Sequence, residues 1–197
     1  MTQLELQQYL LREYPQENAR CEWKEFKNLK NSFCGDEKDD VISYVSAIAN
    51  MEGGFLVVGV HDKTLEIVGT DTYNYDRQKA ILRLTERCTN LSSEGLDIEE
   101  YITDDTQKVV WVIHIPKHLP KRPVYAHDKA WQRIEDSLVE LTQEHLNAIL
   151  EYIKDVLPST KSMEQKRRLL RHILEEMKNE NMILVNGRTW FENGYKS

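Results

Sequence analysis

The sequence predicts an α/β fold, because segments with helical and with strand periodicity alternate along its 197 residues. The stretch 55–60 is continuously apolar, which is typical of a strand that is covered on both faces. Apolar residues at helical spacing predict one helix before this strand, over residues 36–50, and another after it, over residues 76–90. A chain of this length suits one domain with an appendage, or two compact domains.

The elements around these segments follow from the same patterns. Spaced leucines predict a first helix over residues 2–13, which ends before Pro15. Alternation around Trp23 predicts a strand over residues 21–29, and a polar turn is expected at 31–36. Residues 65–68 are expected to pair with the apolar strand as its hairpin partner.

Further strands and a helix are predicted in the second half of the chain. Three prolines make residues 116–123 a loop, since proline lacks the backbone donor that a strand needs. Thr142 is expected to cap a helix that runs to Ile153. The predicted strands cover residues 98–103, 109–116, 124–125 and 130–134.

A domain boundary is predicted at residues 156–160, where a proline interrupts the pattern. Residues 1–155 are therefore assigned to one domain and residues 160–197 to a C-terminal appendage. In the appendage, a capping box predicts a helix to about residue 180, and Asn186-Gly187 is typical of a β-hairpin turn. A helix followed by a hairpin suits a plain appendage or the end of a winged helix, and both interpretations stay open.

Composition limits the classes of function. The formal net charge of −7 gives no general attraction to nucleic acid, but residues 158–197 carry eight Lys/Arg against five Asp/Glu. No apolar run approaches the roughly 18 residues of a membrane span, and the N-terminus lacks a signal pattern. The three cysteines lack Cys-x-x-Cys spacing, which favours reduced, buried thiols and a cytoplasmic protein.

Carboxylates and a lysine cluster around the first predicted strand. Glu22 and Lys24 are two residues apart and share a face, Glu17 precedes the strand, and Asp62 leaves the neighbouring apolar strand. Carboxylates converging within about 5 Å repel one another unless a cation compensates, and either Lys24 or a divalent metal would serve. Oxygen ligands suit Mg²⁺ or Mn²⁺, which activate water for phosphate chemistry. The alternative interpretation is that these are surface charges without a function.

The double glycine Gly53-Gly54 also has two interpretations. It ends the second predicted helix tightly, or it exposes backbone amides to a phosphate. The chain has no Gly-x4-Gly-Lys-Ser/Thr loop, so a nucleoside triphosphatase has no support. No His-Glu-x-x-His or Ser/His/Asp arrangement stands out either.

These residues, taken in order, resemble the Schlafen AlbA-like domain family. The resemblance covers roughly residues 10–140. It rests on Glu17-x4-Glu22-Trp23-Lys24, the block from Val45 to Gly54 with its Ala47-Ile48-Ala49-Asn50 run, the strand from Phe55 to Asp62, Ile67-Val68-Gly69, Arg122-Pro123-Val124-Tyr125 and Trp131-Gln132-Arg133.

The resemblance implies a mixed β-sheet flanked by helices and binding to DNA or RNA, as in bacterial transcriptional regulators. In some vertebrate members, similar positions form a three-carboxylate ribonuclease site. This implies Glu17, Glu22 and Asp62 as ligands of Mg²⁺ or Mn²⁺, and Lys24 as a neutralising or phosphate-contacting group. The chain departs from the family at His61, where an aspartate is common. Vertebrate nucleases use two such lobes, so one lobe would need a homodimer to enclose a duplex.

Three functions stay open on this basis. The first is a nucleic-acid-binding module, and the second is a metal-dependent endoribonuclease that acts through Glu17, Glu22, Lys24 and Asp62. The third is a protein-interaction or nucleotide-sensing module whose acidic body repels nucleic acid. The candidate nucleic-acid contacts for the first function are Lys117, Lys121, Arg122, Arg133, Lys166, Arg167, Arg168 and Arg171.

Overall fold

A computed structural model describes residues 1–14, 20–33, 40–72, 75–134 and 137–150. Contacts between Cα atoms divide the chain into two units, Met1–Glu151 and Tyr152–Ser197, and every described residue belongs to the first. The predicted boundary at residues 156–160 and the C-terminal helix and hairpin lie outside the described residues and stay predictions. Among the described residues, no helix is both long and apolar enough to cross a membrane.

The described elements combine helices with a mixed sheet that the helices flank, which confirms the predicted α/β fold class. The helices are α1 (Gln3–Glu13), α2 (Leu29–Ser32), α3 (Val41–Asn50), α4 (Arg77–Arg87) and α5 (Gln143–Leu150). The strands are β1 (Cys21–Lys24), β2 (Gly54–Val58), β3 (Asp97–Ile102), β4 (Val109–Ile115), β5 (Tyr125–Ala126), β6 (Lys129–Ile134) and β7 (Ser137–Glu140).

Four of these strands form a mixed sheet in the order β1-β2-β4-β3. Strand β1 runs parallel to β2, whereas β2 with β4 and β4 with β3 are antiparallel. The carboxyl ends of β1 and β2 therefore meet at one edge of the sheet. Strands β5, β6 and β7 form a second, antiparallel sheet.

Both faces of the four-stranded sheet are covered, which explains why β2 is apolar throughout. Trp23 and Val57 are register partners, and they pack with Leu6 and Leu10 of α1 on one face. On the other face, Leu56 belongs to a larger core that includes α3 and β6 residues. Because side chains alternate along a strand, Glu22 and Lys24 lie on this second face, beside α3.

Helix α3 is buried along its whole length, and two of its polar residues, Ser46 and Asn50, hold the second sheet. Ser46 Oγ donates to the carbonyl of Val124 at 2.7 Å. Asn50 Nδ2 donates to the carbonyls of Val124 and Trp131 at 2.9 and 3.0 Å, and its Oδ1 accepts from the Val124 amide at 2.7 Å. Ser46 and the asparagine of the Ala-x-Ala-Asn run thus satisfy backbone groups of the loop before β5 and of β6, groups that would otherwise be buried without partners.

The double glycine closes α3 and turns the chain into β2. Gly53 has φ +68°, and its amide donates to the carbonyl of Ile48 at 3.0 Å. A Cβ at Gly54 would lie 1.9 Å from the carbonyl oxygen of Arg20, so only glycine fits there. The Gly53 amide therefore caps the helix, which supports the structural interpretation of this motif.

The structure differs from the sequence-based expectation in three short elements. Strand β1 ends at Lys24 instead of continuing to residue 29, because Phe26 adopts φ +31° and packs edge-on against Tyr44. Part of the expected turn at 31–36 belongs to α2, and β7 was not predicted at all. Each is a four-residue element, too short to show a periodicity. The expected pairing of residues 65–68 is confirmed by an antiparallel bridge between Val60 and Ile67.

The described cysteines are buried thiols, as predicted. Cys21 and Cys88 are both free and buried. Burial raises the pKa of the Cys21 thiol to about 12, so this group stays protonated and unreactive at neutral pH. Cys34 lies outside the described residues.

Candidate functional site

The parallel pairing of β1 and β2 brings two of the predicted carboxylates to one lysine. Lys24 is the last residue of β1, and Asp62 lies just beyond the end of β2. Lys24 Nζ lies 2.9 Å from Glu22 Oε1 and 3.7 Å from Asp62 Oδ2. Glu22 and Asp62 therefore share one ammonium group. Glu17 lies outside the described residues.

The second oxygen of Glu22 contacts another cation. Its Oε2 forms an ion pair with the guanidinium of Arg133, which belongs to β6 in the second sheet. The Glu22 and Arg133 side chains are only 3% and 9% exposed. A carboxylate at this depth is costly unless it is paired, so Arg133 and Lys24 compensate Glu22 from two sides. The surface-charge interpretation is therefore wrong for Glu22.

Neighbouring groups keep Lys24 cationic. Burial alone would lower the pKa of Lys24, but its hydrogen bond to Glu22 and the charge of that carboxylate raise the pKa above its ordinary value. The ammonium also lies 5.3 Å from the centre of the Tyr44 ring, within cation–π distance. Burial raises the pKa of the Tyr44 hydroxyl. The cluster of Glu22, Asp62, Lys24 and Arg133 thus combines two carboxylates with two basic side chains.

The described donor set does not fit a divalent metal ion. Both oxygens of Glu22 are already in contact with cations. Hard divalent cations need several oxygen ligands, whereas Lys24 and Arg133 bring positive charge to the same place. In the part of the chain that the structure describes, no group of three or more His, Cys, Asp or Glu side chains is placed to hold a metal.

His61, the departure from the family pattern, belongs to a turn. Its Nδ1 accepts from the backbone amides of Lys63 and Thr64, both at 3.3 Å. The same nitrogen lies 3.5 Å from Asp62 Oδ1. His61 therefore stabilises the turn that positions Asp62.

His114 belongs to a second polar cluster, on the α1 face of the sheet. It is half-buried, with Nε2 3.0 Å from Glu99 Oε1. The Tyr14 hydroxyl donates to Glu99 at 3.3 Å, and the rings of Tyr14 and Phe55 meet His114 edge-on. Burial raises the pKa of Tyr14 to about 12. These contacts hold the end of α1 to the sheet.

The predicted nucleic-acid contacts are placed in different environments. Lys117 is about half exposed and pairs with both oxygens of Glu52 at 3.1 and 3.0 Å. Lys121 and Arg122 are partly exposed in the proline-rich loop. Arg133 is directed to Glu22 in the interior. The candidates outside the described residues are Lys166, Arg167, Arg168 and Arg171.

Sequence reasoning missed the partners that fix the second sheet. Asp40 is fully buried, and its Oδ1 accepts from the Ser43 amide at 2.8 Å as the N-cap of α3. Its Oδ2 lies 2.7 Å from His127 Nε2, in the turn between β5 and β6. An aspartate before a helix signals a cap, but nothing local in the sequence indicates the distant histidine.

Comparisons with known proteins identify the family of the chain. The chain matches the family described as Schlafen, AlbA_2 over residues 17–142, which is more than half of its length. The chain therefore belongs to the Schlafen AlbA_2 family. No curated protein shows a significant match.

Two solved structures are similar to the chain. The DIP2311 protein from Corynebacterium diphtheriae is 18% identical, with a TM-score of 0.51. The match covers 76% of this chain and 32% of that one, so this chain spans about a third of that protein. The N-terminal domain of a RecG-related protein from Nitrosomonas europaea is 22% identical, with a TM-score of 0.36, and the match covers 64% and 81% of the two chains. The first similarity supports the fold.

Removing the Glu22 charge is expected to destabilise the domain strongly. Glu22→Gln leaves Arg133 and Lys24 facing a neutral group in the interior, so the free energy of unfolding should fall by about 3–5 kcal/mol. Urea unfolding followed by circular dichroism measures this change.

Glu52→Gln is the matched control for this measurement. Glu52 also faces two cations, Lys117 and Arg20, but its side chain is 51% exposed. Its loss should leave the unfolding curve unchanged, because water screens the pair. Equal effects of the two variants would contradict the role of Glu22 as a buried, compensated charge.

Proposed function

We propose that this chain is a nucleic-acid-binding module. The observation that carries the proposal is its membership of the Schlafen AlbA_2 family over residues 17–142. The family resemblance implies binding to DNA or RNA. Regulation of transcription, and a homodimer that encloses a duplex, are finer proposals that extend this one.

The charge arrangement of the described domain supports this function. A phosphate backbone is repelled by uncompensated carboxylates, but Lys24 and Arg133 neutralise Glu22 and Asp62. The loops at the carboxyl ends of β1 and β2 also carry exposed lysines, Lys27 and Lys63. The chain has a net charge of −7, so binding must be local and must depend strongly on salt.

Binding is expected to weaken steeply as salt is raised. Three phosphate contacts would reduce the affinity roughly 20- to 40-fold between about 50 and 200 mM salt, because counterions are released on binding. Fluorescence anisotropy with labelled single- and double-stranded RNA and DNA of one sequence measures the affinity and its salt slope.

A peptide nucleic acid of the same sequence is the control probe for this experiment, since it lacks phosphates and should not bind. Flat isotherms for all four nucleic acids at the lower salt concentration would contradict the proposal. That result would favour the protein-interaction or nucleotide-sensing module.

A metal-dependent endoribonuclease is the second candidate function. The observation that favours it is the convergence of Glu22 and Asp62 on Lys24. Against it stands the pairing of both Glu22 oxygens with cations, which leaves neither oxygen free to bind a metal ion. The binding module is therefore the better-supported function.

Asp62→Asn tests the ribonuclease directly, because Asp62 is 39% exposed and its loss should not unfold the domain. A pure binding module predicts that wild type and variant both leave a structured RNA intact with Mn²⁺. The ribonuclease predicts cleavage by wild type and by the control Asp97→Asn, an exposed carboxylate on β3, but not by Asp62→Asn. Gel electrophoresis of end-labelled RNA separates these outcomes.

A further inference from the structure

A groove of about 360 Å³ lies beside the start of β4, where the loop after β2 returns to the sheet. Its volume is at the low end of the roughly 300–1,000 Å³ that is typical of ligand sites. The lining residues that matter here are Lys27, Gly69, Thr70, Asp71, Lys108 and Val109.

Bare backbone forms part of this groove. Gly69 has φ +80°, and its amide donates to the carbonyl of Gly59 at 2.8 Å. A Cβ at Gly69 would lie 3.1–3.2 Å from the side-chain carbons of Lys108. The glycine therefore lets the aliphatic stem of Lys108 lie close to the chain and keeps side-chain atoms out of the groove.

The two lysines of the groove are held differently. Lys108 Nζ donates to the carbonyl of Ile67 at 2.8 Å, which fixes the ammonium and leaves two of its three protons for other acceptors. Lys27 is 78% exposed, and its ammonium lies 3.1 Å from Glu25 Oε1. An exposed ion pair of this kind contributes little free energy, so a phosphate can replace Glu25 as the partner of Lys27.

The charges that line the groove favour an anion. The lining residues include two lysines and one carboxylate, that of Asp71, so their formal net charge is +1. The Thr70 hydroxyl donates to the carbonyl of Phe26 and is not a donor to a ligand. Val109 adds an apolar side chain to the lining, which the carbon atoms of a sugar can contact. A phosphate next to a sugar fits this lining better than a cation or a purely apolar ligand.

We propose that this groove holds one phosphodiester group of a bound nucleic acid, between Lys27 and Lys108. The proposal rests on the proposed function and names one place where the nucleic acid is held. The high exposure of Lys27 leaves the rim open to solvent, so a continuous strand can pass through. The carboxylate of Asp71 repels a phosphate, so its removal is expected to raise the affinity for nucleic acid.

Charge-removing variants measure the contribution of the groove. Lys27→Gln and Lys108→Gln should each make the salt slope of oligonucleotide binding shallower, by at most about 0.7–0.9, because the two lysines share one phosphate contact. Lys108→Arg keeps the charge and should retain the wild-type slope. Asp71→Asn should raise the affinity, since it removes the one negative charge from the lining.

Lys79→Gln is the matched control. Lys79 is 66% exposed and pairs with Asp76 at 3.3 Å, much as Lys27 pairs with Glu25, but it lies on α4 and not in the groove. Its removal changes the net charge of the protein equally and should leave the slope as in wild type. Lys108 also donates to the Ile67 carbonyl, so the unfolding curve of Lys108→Gln is recorded to detect a loss of stability. Lys27 is exposed, so Lys27→Gln tests the groove without removing a buried contact.

The outcomes separate the groove from the proposed function. Wild-type binding with unchanged slopes in Lys27→Gln and Lys108→Gln would overturn the groove and leave the nucleic-acid module standing. No binding by wild type at the lower salt concentration would overturn both. A further titration uses a mononucleotide alone as the ligand. If it binds and is sensitive to Lys27→Gln while oligonucleotides do not bind, the site takes a free nucleotide and the polymer proposal fails.

Discussion

The buried carboxylate of Glu22 is the constraint on which the rest of this domain depends. It lies on the α3 face of β1, where an isolated charge would cost several kcal/mol. Lys24 compensates it along the same strand, and Arg133 reaches it from β6. The second sheet must therefore lie where Arg133 meets Glu22, and the hydrogen bonds from Ser46 and Asn50 to the backbone of that sheet satisfy the same requirement.

This compensation also determines what the site can do. A three-carboxylate cluster attracts a divalent cation because nothing else neutralises it. Here, Lys24 and Arg133 already occupy both oxygens of Glu22, and Asp62 shares Lys24. The charges of Glu22 and Asp62 are thereby compensated. These two carboxylates then no longer repel a phosphate, which supports the nucleic-acid proposal that the family membership carries.

Much of the fold could be predicted from the sequence, but of the ion pairs in the site only the one between Glu22 and Lys24 could. Alternation around Trp23 placed Glu22 and Lys24 on one face, and the apolar run of β2 predicted a strand that is covered on both faces. The second partner of Glu22, Arg133, could not be predicted in this way. It lies far along the chain, and no local pattern links two ionic residues that are distant in sequence. Arg133 was expected at the surface as a nucleic-acid contact, and Asn50 was seen only as part of a family motif.

A double-mutant cycle of Glu22→Gln and Arg133→Gln, with free energies of unfolding from urea titrations, tests the central claim most directly. The account predicts a coupling energy of about 1–3 kcal/mol, with the double variant more stable than the two single losses imply, because neither charge is left unpaired. Additive losses, within about 0.5 kcal/mol, would show that the two residues are independent and would contradict the account.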